Sequence, residues 1–241
     1  MGVLARALDL VYPPRCAGCE SLTTAPHGLC GPCWRDTQFI TGPRCDLCGQ
    51  PVPLAGPVTT LFCDRCAAYP PGWDRGRAAL LYEGTGRRIV LALKHGDRLD
   101  LLRTVSGWMR RAGGALCEDA DIIAPIPLHW RRFVARRYNQ SAELARQGVL
   151  SARADRVPDL LRRVRWTPPQ EGMGRETRFQ TQHGALALTP RHRDRVAGAH
   201  VLLIDDVMTS GATLGAATEA LRPAGPASIS VLVLARVARP A

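Results

Sequence analysis

Two groups of residues in this chain have the types and spacing for chemistry. The first is eight cysteines in four C-x-x-C pairs, Cys16/Cys19, Cys30/Cys33, Cys45/Cys48 and Cys63/Cys66. One such pair is a tight turn that aims two thiolates at one point, and two turns complete the tetrahedron of a structural Zn²⁺. The simplest grouping is sequential, with Cys16, Cys19, Cys30 and Cys33 in one site and Cys45, Cys48, Cys63 and Cys66 in the other. An interleaved pairing of the same turns is equally compatible with the spacing. A disulfide framework would need an oxidising compartment, and a thioredoxin-like site uses one pair beside a βαβ pattern rather than four in a row. His27 is a spare donor between the first two pairs, and Cys117 stands apart as an ordinary apolar residue.

The second group is HVLLIDDVMTSGATL, His200 to Leu214. An apolar run ends in two adjacent carboxylates, Asp205 and Asp206, and Thr209, Ser210, Gly211, Ala212 and Thr213 follow. A turn of this composition entering a helix offers free N–H groups, hydroxyls and the positive end of the macrodipole to a phosphate. Gly211 lets the backbone approach that anion closely. The carboxylates would repel a phosphate, so they must hold something else. Ionised carboxylates only accept hydrogen bonds, and the vicinal hydroxyls of a ribose are natural donors. The stretch therefore fits a ribose 5-phosphate, with hydroxyls on the acids and phosphate in the turn.

Both groups need scaffolds. About 60 residues with few large apolar side chains bury little core, so the metal must supply folding free energy to the cysteine segment. Beyond the Pro- and Gly-rich AAYPPGWDRG the pattern alternates. RAALLYEG, ADIIAPIP, AHVLLID and SISVLVLARV read as strands; TGRRIVLALKHG, DLLRTVSGWMRRAGGAL, NQSAELARQGVL and GATLGAATEALRPAG read as helices. Short apolar strands alternating with helices predict an α/β fold with a doubly wound parallel sheet. On such sheets ligands sit outside the carboxyl ends of the strands, where Asp205 and Asp206 fall. The expected domains are residues 1–70 and 71–241.

Charge follows the same division. Residues 1–70 hold five Arg and five acids, so the whole net charge of +11 belongs to residues 71–241. Eight thiolates around two Zn²⁺ would leave the cysteine segment with an excess of negative charge. A basic field favours phosphate-rich partners, and it points them to the larger part. Of 32 basic residues only Lys94 is Lys, which either marks a site for a compact ammonium rather than a planar fork or survives by chance. No apolar run is long enough to span a membrane, and the opening residues have no secretory pattern, so the expected location is the cytoplasm without membrane insertion.

The loop DDVMTSGAT resembles the 5-phosphoribosyl 1-pyrophosphate (PRPP) motif of type I phosphoribosyltransferases. The resemblance widens to the ComF family over nearly the whole chain: cysteine ribbons, LALKHG, APIPLHWRRFVARRYNQSAELA with Pro125, Pro127, Arg137, Asn139 and Gln140, and QEGMGRETR ahead of the loop. It implies a double zinc ribbon joined to a phosphoribosyltransferase-type sheet, with two structural Zn²⁺ and PRPP accompanied by Mg²⁺. It implies a role in handling single-stranded DNA during uptake, beside a competence helicase or recombination proteins. Purine-salvage enzymes that share the loop have Asp at the position of Thr209, and orotate-type enzymes have Thr. The resemblance therefore leaves three roles: a PRPP- and DNA-binding protein, an active transferase with an unknown acceptor, or a PRPP-sensing regulator. It places Arg131, Arg132, Arg136 and Arg137 near the pyrophosphate, and a hood over residues 167–178 with Arg175 or Arg178 reaching a phosphate. Aromatics make up only 5% of the chain, too few for a long base-stacking platform, so DNA contacts are expected to be mainly Arg to phosphate, within residues 71–241.

Overall fold

The computed structural model describes residues 13–23, 28–53, 60–95, 98–128, 138–147, 150–151, 153–168 and 172–238. Two short helices come first, α1 (Gly31–Asp36) and α2 (Asp64–Ala68), each entered from a cysteine. Then follow β1 (Arg75–Leu81), α3 (Gly84–His95), α4 (Leu102–Gly113), α5 (Ala115–Asp119), β2 (Ile122–Pro125) and α6 (Gln140–Arg146). The remainder is β3 (Asp155–Arg156), β4 (Leu161–Arg163), α7 (Arg175–Gln182), β5 (Leu186–Leu188), α8 (Arg193–Val196), β6 (His200–Met208), α9 (Ala212–Leu221) and β7 (Ser228–Arg236).

Strands β1, β7, β6, β2 and β3 pair in that order, and every neighbouring pair is parallel. Both faces are covered, which is why the central strands read as unbroken apolar runs. Successive side chains alternate between two cores. Leu203, Val231 and Val233 pack with Leu214 and Ala217 of α9 on one face. Leu202, Ile204, Leu232 and Leu234 pack with Ile89, Val105, Met109 and Leu144, from α3, α4 and α6, on the other. This is the doubly wound sheet the sequence predicts.

Four local features differ from the periodicity. The helix expected over DLLRTVSGWMRRAGGAL starts with a 3₁₀ turn at Leu99–Leu101 and breaks at Gly114, whose φ of 46° ends α4 before α5 resumes. Strand β6 runs past both aspartates, because β7 continues to pair with it as far as Met208↔Arg236. The two-residue β3 and the antiparallel pair β4–β5 are too short to show a period. Part of the expected hood is the regular helix α7, which packs against α9.

The cysteine segment lies on the outer edge of β1. Phe39 bridges Leu80 in antiparallel sense, Ile40 N–H donates to Ala79 O (3.0 Å), and Leu81 N–H donates to Gln38 O (2.9 Å). The backbone of the second cysteine turn comes closer still. Gly76 N–H donates to Asp46 O at 2.7 Å, and a Cβ at Gly76 would stand 2.3 Å from Leu47 O. Only glycine permits that approach. No helix among the described residues is long and apolar enough to cross a membrane.

Candidate functional site

At the carboxyl end of β6 the two acids open into a cleft of about 360 Å³, also lined by Lys94, Ser141, Arg178, Thr209 and Thr213. Asp205 Oδ1 accepts from Ser141 Oγ (2.8 Å) and from the backbone N–H of Asp206 (3.0 Å). Asp206 Oδ2 lies 3.2 Å from Lys94 Nζ, and both side chains are largely enclosed. Burial against the sheet, and then the neighbouring charge of Asp206, push the Asp205 carboxyl up to about 7; Ser141, the Asp206 N–H and Lys94 act in the opposite direction.

The residues after β6 turn as a cradle. Gly211 has φ 82° and leads into α9, and Ala212 N–H donates to Ser210 Oγ (3.3 Å). A small hollow lined by Thr209, Gly211, Ala212 and Thr213 sits over this helix start. The loop carbonyls are held from behind. Arg236 Nη1 donates to Thr209 O (2.9 Å) and Met208 O (3.3 Å), and Arg65 donates to Ser210 O. Trp73 closes the same side: its ring would stand 2.8 Å from a Cβ at Gly211, and its Nε1–H donates to Leu47 O (2.5 Å). With their carbonyls occupied below, the loop and helix start leave N–H groups for an anion above.

The segment Tyr138–Ser141 ties the cleft to α3. Tyr138 OH (2.6 Å) and Gln140 Nε2 (3.4 Å) both donate to Leu93 O, the carbonyl just before Lys94. Asn139 caps α6 by accepting from Ser141 N–H (3.1 Å), and its Nδ2 donates to Ile126 O (3.0 Å). Asn139 and Gln140, singled out by sequence resemblance, thus serve as positioning groups for Lys94 and Ser141. On the far wall Arg163 Nη1 donates to Thr167 Oγ1 (2.9 Å) and Gln182 Oε1 (3.1 Å), and Arg178 carries a buried Nε with no protein partner.

The cysteines form two groups, Cys16, Cys19, Cys30 and Cys33, and Cys45, Cys48, Cys63 and Cys66, with the sulfurs of each group within 4.8 Å of one another. Cys19 Sγ–Cys30 Sγ is 3.6 Å and Cys48 Sγ–Cys63 Sγ is 3.7 Å. A tetrahedron with 2.3 Å Zn–S bonds has edges of about 3.8 Å, so the sulfurs fit a tetrathiolate Zn²⁺. In both groups the second pair spans a helix start: Cys30 and Cys63 are the N-caps of α1 and α2, and Cys33 and Cys66 sit in their first turns. Gly18 N–H and Cys30 N–H point at Cys16 Sγ, at 3.3 and 3.2 Å.

The structure therefore gathers Asp205, Asp206 and Thr209–Thr213 at one strand end, and the eight cysteines in two sequential sets. His27, the opening residues 1–12 and Arg131, Arg132, Arg136 and Arg137 lie outside the described residues, as do residues 169–171 of the hood and the side chain of Arg175. Sequence reasoning missed Ser141, Arg65, Arg236 and Trp73. Only Ser141 had a signal, as the residue after Asn139-Gln140; the others act through contacts between distant segments.

A parallel sheet with an anion-binding turn beside paired acids, preceded by two cysteine tetrads, defines a phosphoribosyltransferase-type protein with a double zinc ribbon. Residues 7–68 match the double zinc ribbon domain and residues 151–241 the phosphoribosyl transferase domain. Competence protein F of Haemophilus influenzae is 27% identical over 92% of this chain and 96% of its own length. DNA utilization protein YhgH is 27% identical in Escherichia coli and 28% in Salmonella typhimurium, each over 94% of this chain and 99% of the relative. A solved structure of the allosteric regulatory enzyme of purine biosynthesis aligns with a TM-score of 0.35 at 18% identity, over 60% of this chain and 30% of that one. The chain therefore carries both domains and is similar along nearly its whole length to Competence protein F and YhgH, the arrangement its motifs imply.

Proposed function

We propose that the chain binds PRPP with Mg²⁺ in the cleft at the end of β6, and that it handles single-stranded DNA in DNA uptake, a reading supported by relatives named for competence and for DNA utilization. The observation that carries the reading is the pairing of two enclosed acids with the Thr209–Thr213 cradle in one cleft. In this reading the acids accept the ribose hydroxyls, the cradle holds the 5-phosphate, and Mg²⁺ neutralises the pyrophosphate. Residues 1–70 form the zinc-bearing ribbons and residues 71–241 the ligand-binding unit, each ribbon holding one structural Zn²⁺ through its four cysteines.

The test is calorimetry with PRPP and Mg²⁺ on the wild type and on the double variant Asp205→Asn, Asp206→Asn. Each lost charge-assisted bond contributes on the order of 1.5–3 kcal/mol, so affinity falls by about tenfold or more. Unchanged affinity in the folded variant removes the assignment.

A second reading, an active transferase, is favoured by one observation. The lining of the cleft continues beyond the acids to Tyr82, Arg163 and Arg178, a lining that leaves space for an acceptor. Thr209 supplies no general base, so the acceptor's attacking atom would have to react without giving up a proton to that position. Pyrophosphate release that depends on an added acceptor separates this reading from a PRPP-binding protein without turnover.

A further inference from the structure

Away from the cleft, and sharing no lining residue with it, a groove of about 370 Å³ runs along the seam between the cysteine segment and the sheet. Trp34 of α1, Phe39 of the segment on β1 and Trp108 of α4 meet in it. Trp34 and Phe39 have ring centroids 4.9 Å apart, and Phe39 and Trp108 are 5.1 Å apart and nearly perpendicular. Trp34 is 54% exposed, which is high for so large an apolar ring, and its neighbours hold it in place rather than cover it. Arg44 and Arg111 flank the rings, and among the described residues no acidic side chain lines the groove. Arg44 has one nitrogen satisfied, Nη1 to Gly42 O at 3.2 Å, while its Nε is buried with no partner in the protein. Burial, and then the charge of Arg77, depress its proton affinity, and the charge of Asp46 acts in the opposite direction.

We propose that this groove is a base-stacking station for single-stranded nucleic acid, with one or two bases against Trp34 and Trp108 and backbone phosphates on Arg44 and Arg111. The proposal rests on the reading that the chain handles single-stranded DNA. A planar ring faces the bases of any sequence, so the station is sequence-tolerant, and the two arginines that line it suit a phosphate backbone. A duplex hides its base faces and fits the groove poorly. Residues 34, 39 and 44 come from the cysteine segment and residues 108 and 111 from the sheet side, so the footprint crosses the seam. It is thus not confined to residues 71–241, where the distribution of charge places DNA.

The experiment is anisotropy of labelled oligo(dT) with the full-length, zinc-loaded chain over a range of salt. Trp34→Ala is expected to lower affinity roughly fivefold or more, and Trp34→Phe to retain most of it, because one stacked base is lost in the first and kept in the second. Arg111→Gln is expected to reduce the salt slope by about 0.7, one phosphate contact. PRPP affinity and zinc content should stay at wild-type values in all three. Wild-type oligo(dT) affinity in Trp34→Ala and in a Trp34→Ala, Trp108→Ala double variant overturns the groove while leaving DNA binding elsewhere intact. If DNA uptake fails in those variants although their oligo(dT) affinity is unchanged, the groove docks a protein and the proposal is equally overturned. A wild-type chain that binds no oligo(dT) removes the DNA reading and this station with it.

Discussion

At Asp205 the carboxylate accepts from Ser141 and from the backbone of Asp206 and lies against the sheet, whereas Asp206 holds the ammonium of Lys94. Burial and the neighbouring charge raise the Asp205 carboxyl to about 7. A ribose hydroxyl donates to the ionised form, so PRPP affinity should rise as pH climbs through about 7 and fall below it. The ligand's own phosphates titrate as well, and Asp205→Asn isolates the protein's share. Calorimetry from pH 6 to 8 should show a shallower pH dependence in that variant, and equal slopes would exclude Asp205 as the titrating group. Lys94 allows a second prediction. A guanidinium fork in the enclosed space beside Asp206 needs more room than an ammonium. Lys94→Arg should weaken PRPP binding several-fold despite conserving charge; wild-type affinity would mean that the only lysine is retained by chance. The acids and the cradle were legible in the sequence because they are contiguous. Lys94's partner was not, since 112 positions separate Lys94 from Asp206 and only the closing of α3 over β6 brings them together.

The elements were legible wherever burial on both faces imposed long apolar runs, as in β6 and β7, and wherever one stripe faced a core, as in α4. They were illegible where a third segment decides the outcome. The cradle shows this most clearly, because the reading of Gly211 as a close-approach residue captured only part of its role. Its φ of 82° and the ring of Trp73 behind it leave no room for a side chain. Gly211→Ala should cost about 1–2 kcal/mol in backbone strain alone, with the contact against Trp73 in addition, and should tilt the start of α9. Urea unfolding should report the loss of stability and calorimetry a loss of PRPP affinity. A variant with unchanged midpoint and affinity would show that the loop adapts freely.

Across the molecule, the cysteine segment and the loop are mechanically joined, through Arg65 to Ser210 O and through Leu47 to Trp73 and on to Gly211. The sequence showed two modules and a linker; it did not show that one braces the other, because these contacts are carried by residues with no motif of their own. Metal analysis of anaerobically prepared protein should give two zinc per chain, and chelation should weaken PRPP binding as well as melt the ribbons. Full PRPP affinity in zinc-free protein would mean that the cleft stands without its brace. The placement of Gln38–Ile40 on β1 has a further consequence. In the order β1-β7-β6-β2-β3, β1 is an outermost strand, and a bare outermost strand is a template on which other copies can add strands. Phe39 and Ile40 occupy part of that template with a short antiparallel segment that pairs at its middle and then turns away. The ribbons thus act as a stopper against fibre-like growth of the sheet, a protection the chain loses whenever oxidation or zinc starvation unravels them.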